Sequence, residues 1–375
     1  MNGYPAPLTA QVLEPEQASL PVSSASGPER LLDFALIDVR DAVQWPDFAR
    51  HRFGSLFSSP YWISAVAGTY DFSINASVRT NGGRIEAAMP YCRISDLRGD
   101  RIVSLPFSDY CDPLVTDAKT WNQLIAPLLA EKVPISLRCL RNNVPVADDR
   151  FQRKVPALWH GVDLTRSGED LWSGLHSSAR QNVRKAQASG VVVRDGRTIE
   201  DMRIFHRMHC MLRKSKYRLL AQPLVFFENV FHEFAKTDGV NVLIAERNSE
   251  PIAAIVLLEW NGTLYYKFNA SLDQRYCPND LLAWHALQYG RQRGMVRFDF
   301  GLSDLEQPGL IRYKRKFATD EQEISFLHWR PDGYANPKGD QAGQVLSQVT
   351  NWLTDATVPD EITRTAGEKL YRFFC

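Results

Sequence analysis

Thr263-Leu264-Tyr265-Tyr266-Lys267-Phe268-Asn269-Ala270-Ser271-Leu272-Asp273-Gln274-Arg275-Tyr276-Cys277-Pro278-Asn279-Asp280 is the stretch whose reading settles the architecture. It opens as an aromatic, strand-like run. It closes by entering a helix over 280–293, which stops at Gly294, a left-handed terminal position. The connection between the two contains no glycine. Loops that cradle phosphate at a helix N-terminus do so with bare backbone N–H groups, and glycine lets the ligand approach them. Any phosphate-bearing ligand is therefore expected to be held differently here. Strict alternation places Tyr266, Phe268 and Ala270 on one face, and Tyr265, Lys267 and Asn269 on the other. An aromatic strand of this kind serves as core or as the wall of a site, and both readings stand.

Outward from this stretch the pattern is mixed α/β. Strands are predicted over 240–246, 252–260 and 263–268, with a tight turn at Asn261-Gly262. Upstream, Thr198 and Asp201 form a capping box for a helix with Met202, Phe205, His209 and Leu212 on one face. Pro223 opens another helix with Phe227, Val230, Phe231 and Phe234. Downstream come a short strand over 295–300, helical turns over 309–316 and a last strand over 322–329. The first half shows a similar order. A helix starts at Ser59-Pro60, two strands flank Asn81-Gly82-Gly83, a helix carries Trp121, Leu124 and Leu128, and a strand follows over 133–140. The chain thus reads as a tandem of related α/β units, each a mixed central sheet flanked by helices. The expected divisions are a Pro-rich lead-in at 1–30, a first domain at 31–159, a second at 160–330, and a loop with a terminal helix packing back at 331–375.

A chain of 375 residues accommodates two domains, and a net charge of +1 gives no global field for nucleic acid or membrane. Six cysteines stand apart with no C-x-x-C pair, which argues against a zinc knuckle and fits a reducing compartment. No apolar window reaches a membrane span and no leader pattern is evident, so the expected location is the cytoplasm. The sequence carries no phosphate-loop, dinucleotide or serine-elbow motif. His206 and His209 lack a nearby third ligand, so no metal site is expected.

Five features can carry chemistry. A helix over 171–189 presents Arg180 and Arg184 four apart, suited to phosphate or to a solvated face. Arg213-Lys214-Ser215-Lys216-Tyr217-Arg218 sits at a helix end, where cations complement the dipole or meet an anionic substrate. The aromatic strand supplies Tyr266 and Asn269, and the start of the next helix supplies Asn279. Asp299 lies between Phe298 and Phe300, where an unpaired carboxylate is costly, so it meets a donor, a cation or substrate. Gly309 is followed by Arg312, Tyr313, Lys314, Arg315 and Lys316, and an ammonium there can steady the oxyanion of a tetrahedral intermediate.

These motifs are the Arg180–Ala186 run, the aromatic strand, Phe298-Asp299-Phe300-Gly301, and Gly309-Leu310 with Tyr313-Lys314. Through them the chain resembles the Fem family of peptidoglycan interpeptide-bridge transferases. That family belongs to the GCN5-related N-acetyltransferase (GNAT) superfamily. The chain is also similar to the acetyltransferase domain of cellulose and exopolysaccharide biosynthesis proteins. The resemblance implies tandem GNAT-like domains around a cleft. It implies an N-acyltransferase that moves an acyl or aminoacyl group onto an amino group of a cell-envelope or polysaccharide precursor. No cofactor is expected to be bound permanently; acyl-CoA or aminoacyl-tRNA is the donor substrate. Expected partners are a glycan, peptide or small-molecule acceptor, tRNA, and peripheral contact with a membrane-bound precursor. By the same resemblance Lys314, following Tyr313, serves the acyl oxyanion and donor end, Tyr266 and Tyr265 on the central strand match tyrosines that line the substrate channel, and Arg213 and Tyr217 match substrate contacts. Catalytic roles are therefore expected for Lys314 and Asp299. Substrate binding is expected from Tyr266, Tyr313, Asn269, Asn279, Arg213, Tyr217, Arg180 and Arg184. The chain lacks the long helical arm of some Fem enzymes. A silent binding module that keeps the fold is the alternative.

Overall fold

Twelve strands hydrogen-bond into one mixed sheet in a computed structural model that describes residues 32–375. The expected lead-in at 1–30 lies outside the described residues. The first five strands run in order: β1 (Leu32–Asp38), β2 (Ile74–Asn81), β3 (Arg84–Asp96), β4 (Gly99–Val103) and β5 (Ile135–Cys139). Asn81-Gly82-Gly83 makes the predicted hairpin, with both glycines at positive φ. The second half contributes β6 (Gln152–Asp163), β7 (Val191–Gly196), β8 (Val240–Arg247), β9 (Glu250–Trp260), β10 (Thr263–Ser271) and β11 (Arg297–Asp304). These stand in the order β6-β11-β10-β9-β8-β7.

The last strand, β12 (Asp320–Trp329), does not stay with its own half. It lies between β5 and β6, antiparallel to both, and fuses the two expected sheets into one. The division anticipated at 159/160 falls inside β6, and residues 32–375 pack as one compact unit.

Helices cover both faces, and the burial pattern explains which. The short α1 (Trp45–Phe48) precedes α2 (Pro60–Tyr70), capped by Ser59 with Pro60 at its first position. α3 (Ala118–Ala130) buries Trp121, Leu124 and Leu128 with β5 residues Ile135 and Leu137. The short α4 (Asn143–Val146) follows. The helix predicted over 171–189 is two helices, α5 (Gly168–Gly174) and α6 (Ser177–Ala188), because Leu175 and His176 turn extended between them. α7 (Ile199–Leu212) begins with the predicted Thr198/Asp201 capping box. α8 (Leu224–Ala235) packs with α2 and α7 over one aromatic core holding Trp62, Phe205, Phe226 and Phe227. α9 (Pro278–Gln292) and α10 (Pro308–Arg315) lie with α5 and α6 on the opposite face of the second half. The tail forms two helices, α11 (Pro337–Leu353) and α12 (Asp360–Leu370). It is anchored where Arg98 donates to the Phe373 carbonyl and Arg101 to that of Cys375.

Candidate functional site

Where β10 and β11 part, the sheet opens. They pair in parallel only from Thr263↔Arg297 to Tyr265↔Asp299, although both strands run on. The cause is local in each. β10 bulges between Tyr266 and Phe268, and β11 shifts register against β6 between Asp299 and Leu302, with Gly301 at φ +68°. A wedge opens at the carboxyl ends of two parallel strands, a usual place for a ligand crevice.

The bulge also corrects the predicted alternation. Tyr265, Phe268 and Ala270 pack into the aromatic core under α2, α7 and α8, whereas Tyr266 joins the core on the other face. One extra residue, Lys267, inverts the parity beyond it.

Lys267 points into a buried ionic cluster on the aromatic side. Its ammonium lies 2.7 Å from Asp109 Oδ1, and 4.5 Å and 5.1 Å from the ring centres of Phe57 and Trp62. Asp109 Oδ2 accepts the Leu302 N–H at 3.3 Å. A Cβ on Gly301 would overlap that same carboxylate oxygen, so only glycine admits Asp109 to the wedge. Lys314, reaching from α10, is buried and donates to the carbonyls of Gly301 at 3.1 Å and Leu302 at 2.7 Å. Among the described residues, one of its three N–H groups is left for a further acceptor. Burial pushes its pKa down to about 8, against the pull of Asp109 and Asp299. Burial also works against the Asp109 carboxylate, but Lys267 and Lys314 outweigh it and hold its pKa below the usual value.

Asp299 is fully enclosed, and each oxygen is occupied. Oδ1 accepts the Gly301 N–H and Oδ2 the Tyr110 hydroxyl, each at 2.6 Å. Burial raises its pKa, with Tyr110 partly offsetting. The carboxylate thus fixes the turn that opens the wedge.

On the other face four sequence-predicted residues come together. Asn269 Nδ2 donates to the Tyr266 hydroxyl at 3.0 Å and to Asn279 Oδ1 at 3.3 Å, and the Tyr313 hydroxyl donates to the Asn279 carbonyl at 2.9 Å. These bonds tie β10 and α10 to the start of α9. There Asp280 is buried, facing Asn182 Nδ2 at 3.2 Å and Lys316 Nζ at 3.4 Å. The first turn of α9 therefore carries its own carboxylate where a phosphate-gripping helix leaves room for a ligand's. In the glycine-free loop, Arg275 folds back on Asp273 at 2.6 Å, and Cys277 adopts the left-handed conformation at φ +54°.

The remaining predicted residues sit elsewhere. Arg213 and Tyr217 lie in a wide helical turn over Arg213–Tyr217 that extends α7. Arg213 Nε donates to the Leu220 carbonyl, and Tyr217 is half exposed beneath the Lys216 ammonium. A cavity of about 610 Å³ separates this turn from the glycine-free loop, with Ser215 and Lys216 on one wall and Ser271, Asp273 and Arg275 on the other. Arg184 is exposed over the Trp172 ring. Arg180 donates to the carbonyls of Trp172, Ser173 and Leu175 at the end of α5. Those bonds fasten the broken helix, so Arg180→Met is expected to cost about 1.5–3 kcal/mol of stability, the usual worth of bonds to a charged group. Chemical denaturation checks this, and an unchanged unfolding midpoint would return Arg180 to an anion-binding role. His206 and His209 both bond Gln222, through its carbonyl and its side chain.

Asp109, Tyr110, Asn182 and Asp280 are absent from the sequence-derived set. The signal available for the first two was Ser108-Asp109-Tyr110-Cys111-Asp112, a polar run that structure buries throughout except at Asp109.

Residues 174–315 match the family described as acetyltransferase (GNAT) domain. No curated protein matches. Among solved structures the chain is similar to that of FemX, with TM-score 0.60 and 13% identity, over 79% of this chain and 96% of that one. It is similar to a conserved protein of unknown function from Bacteroides thetaiotaomicron VPI-5482, with TM-score 0.56 and 11% identity, over 80% and 100% of the two chains. It is also similar to a tandem GNAT protein from the clavulanic acid biosynthesis pathway, with TM-score 0.51 and 10% identity, over 81% and 100%. The wedge between β10 and β11 falls within the segment that matches the GNAT acetyltransferase-domain model, and the fold as a whole is similar to the folds of FemX and the tandem GNAT protein.

Proposed function

We propose that this protein is an N-acyltransferase that moves an acyl or aminoacyl group from acyl-CoA or aminoacyl-tRNA to an amino group of a cell-envelope or polysaccharide precursor. The observation that carries the reading is the buried Lys314 ammonium, with two of its three N–H groups bonded among the described residues, at a wedge shared with the Asp109 carboxylate. A neutral amine attacks the ester or thioester carbonyl carbon. The new C–N bond forms as the carbonyl oxygen gains charge, and Lys314 steadies that charge. Asp109 is the carboxylate placed to accept the amine proton. Collapse then breaks the C–O or C–S bond, and the proton passes to the departing hydroxyl or thiol. Asp299 acts by position, through Gly301 and Tyr110. Alignment of the two reactants supplies much of the rest of the acceleration.

Tyr266, Asn269, Asn279 and Tyr313, which hydrogen-bond to one another between β10, α9 and α10, are assigned to substrate. The cavity beside Lys216 and Arg275 is assigned to the donor's tail, with Arg213 and Tyr217 in its flanking turn. Among the described residues no helix is long and apolar enough to cross a membrane. A cytoplasmic enzyme meeting a membrane-bound precursor at its surface fits that. Calorimetry with acetyl-CoA, run beside a filter assay with charged tRNA, decides the donor. Binding of one donor, with amide formation on an amino-sugar or peptide acceptor, is the expected outcome. Binding of neither leaves the silent module.

A further inference from the structure

The face built by β5, β12 and β6 carries a cationic platform that the transfer chemistry above leaves unused. Direct cross-strand partners set Arg138, Phe326 and Lys154 in one row and Ser136, His328 and Gln152 in the next. Residues opposite one another share a face, so both rows point the same way. Leu137 and Leu327, between them in sequence, are buried in the core beneath. The Arg138 guanidinium lies 4.6 Å over the Phe326 ring, and the His328 Nδ1 is 3.1 Å from the Ser136 hydroxyl. Two cavities of about 400 and 380 Å³ open over these rows, and His328 lines both. The smaller is walled by Arg150, Gln152, Lys154, His328 and Arg330, with no carboxylate among them. Arg150 is held by Asp148, whereas Lys154 and Arg330 are exposed and make no ion pair among the described residues. Burial and then the cations Lys154, Arg330 and Arg138 all push the His328 pKa down.

We infer that this platform is a binding site for a phosphate-bearing ligand. Guanidinium and ammonium groups gathered on a partly apolar floor suit phosphate oxygens, and the cavities have the size of small-ligand sites. The position says which ligand. Arg138 Nη1 donates to the Ser108 carbonyl at 2.9 Å, and the next residue is the wedge carboxylate Asp109. With the donor's tail assigned to the cavity beside Lys216 and Arg275, the phosphate held here, next to the segment that carries the wedge carboxylate, is assigned to the acceptor. That last assignment rests on the transfer reading; the binding site does not.

The test uses the full chain and two probes that separate a soluble source from a lipid one. One is inorganic pyrophosphate by calorimetry, and the other is sedimentation with phosphatidylcholine vesicles containing phosphatidic acid. The double variant Lys154→Ala/Arg330→Ala should bind whichever probe the native protein takes at least about tenfold more weakly, with a reduced salt dependence. Both side chains are exposed, so the thermal midpoint should hold and loss of binding will not reflect unfolding. Failure of the native protein to bind either probe, or equal binding by the variant, overturns the site. Neither readout needs turnover. A protein that binds pyrophosphate yet forms no amide with any donor keeps this inference and loses the transfer reading.

Discussion

Lys314→Met is expected to lower kcat by about 10²–10³-fold, the usual loss when one oxyanion donor is removed. The side chain is close in length, so the wedge should keep its shape. The variant loses two bonds to the carbonyls of Gly301 and Leu302, and also the burden of a buried charge. These effects oppose each other, so the thermal midpoint should move little compared with the rate. The pH profile adds a second readout. The ammonium is the working form, and its pKa lies at about 8. Activity should therefore fall as pH rises through that value. In Lys314→Arg, where the charge persists to far higher pH, whatever activity remains should lack that alkaline decline. Steady-state rates under saturating donor check both points. Native turnover in Lys314→Met would remove this residue from the chemistry.

Asp109→Asn should be the more damaging change to the fold. It strands the Lys267 ammonium, only 7% exposed, beside a neutral amide. Lys267 is buried while the Asp109 side chain is 25% exposed, so stranding that ammonium should cost toward the low end of about 3–5 kcal/mol, the loss seen when one partner of a buried pair is removed. The double variant Asp109→Asn/Lys267→Met removes both charges and should regain much of that stability. It should not regain activity, since the carboxylate that takes the amine proton is still missing, a loss of about 10²–10⁴-fold. Urea unfolding and single-turnover amide formation on the same three proteins separate the two effects. A well-folded double variant working at the native rate would exclude Asp109 as the base.

Much of the second half was legible in the chain. The Thr198/Asp201 cap, the Asn261-Gly262 turn and the helix stop at Gly294 are local signals, and each lies where such signals belong. Tyr266 and Asn269 were legible as candidates but not as neighbours: alternation set them on opposite faces, and the bulge brings them to one, where Asn279 of α9 and Tyr313 of α10 join them. What stayed hidden is long-range. The ion pair Lys267–Asp109 joins residues from opposite halves of the chain, and nothing near either announces the other. The bulge at Lys267 is a single added residue, invisible to a period-two reading, yet it decides which aromatics face the core. Arg180 and Arg184 looked alike in sequence. One is consumed by backbone carbonyls because Leu175 and His176 break the helix, and no spacing rule foretells that break. Asp280 was read only as part of a helix start, but burial makes it the reason that start is not a phosphate seat.

The placement of β12 bears on how the molecule is made. The strand that completes the middle of the sheet leaves the ribosome only after both of its neighbours, β5 and β6, have been made. Until it arrives, β5 and β6 each expose an unpaired edge, which invites pairing with other nascent chains. A gene truncated shortly before residue 320 should accordingly yield aggregate rather than two soluble lobes. Attempts to express either half alone will meet the same obstacle, because each needs the other's neighbour strand to close its seam.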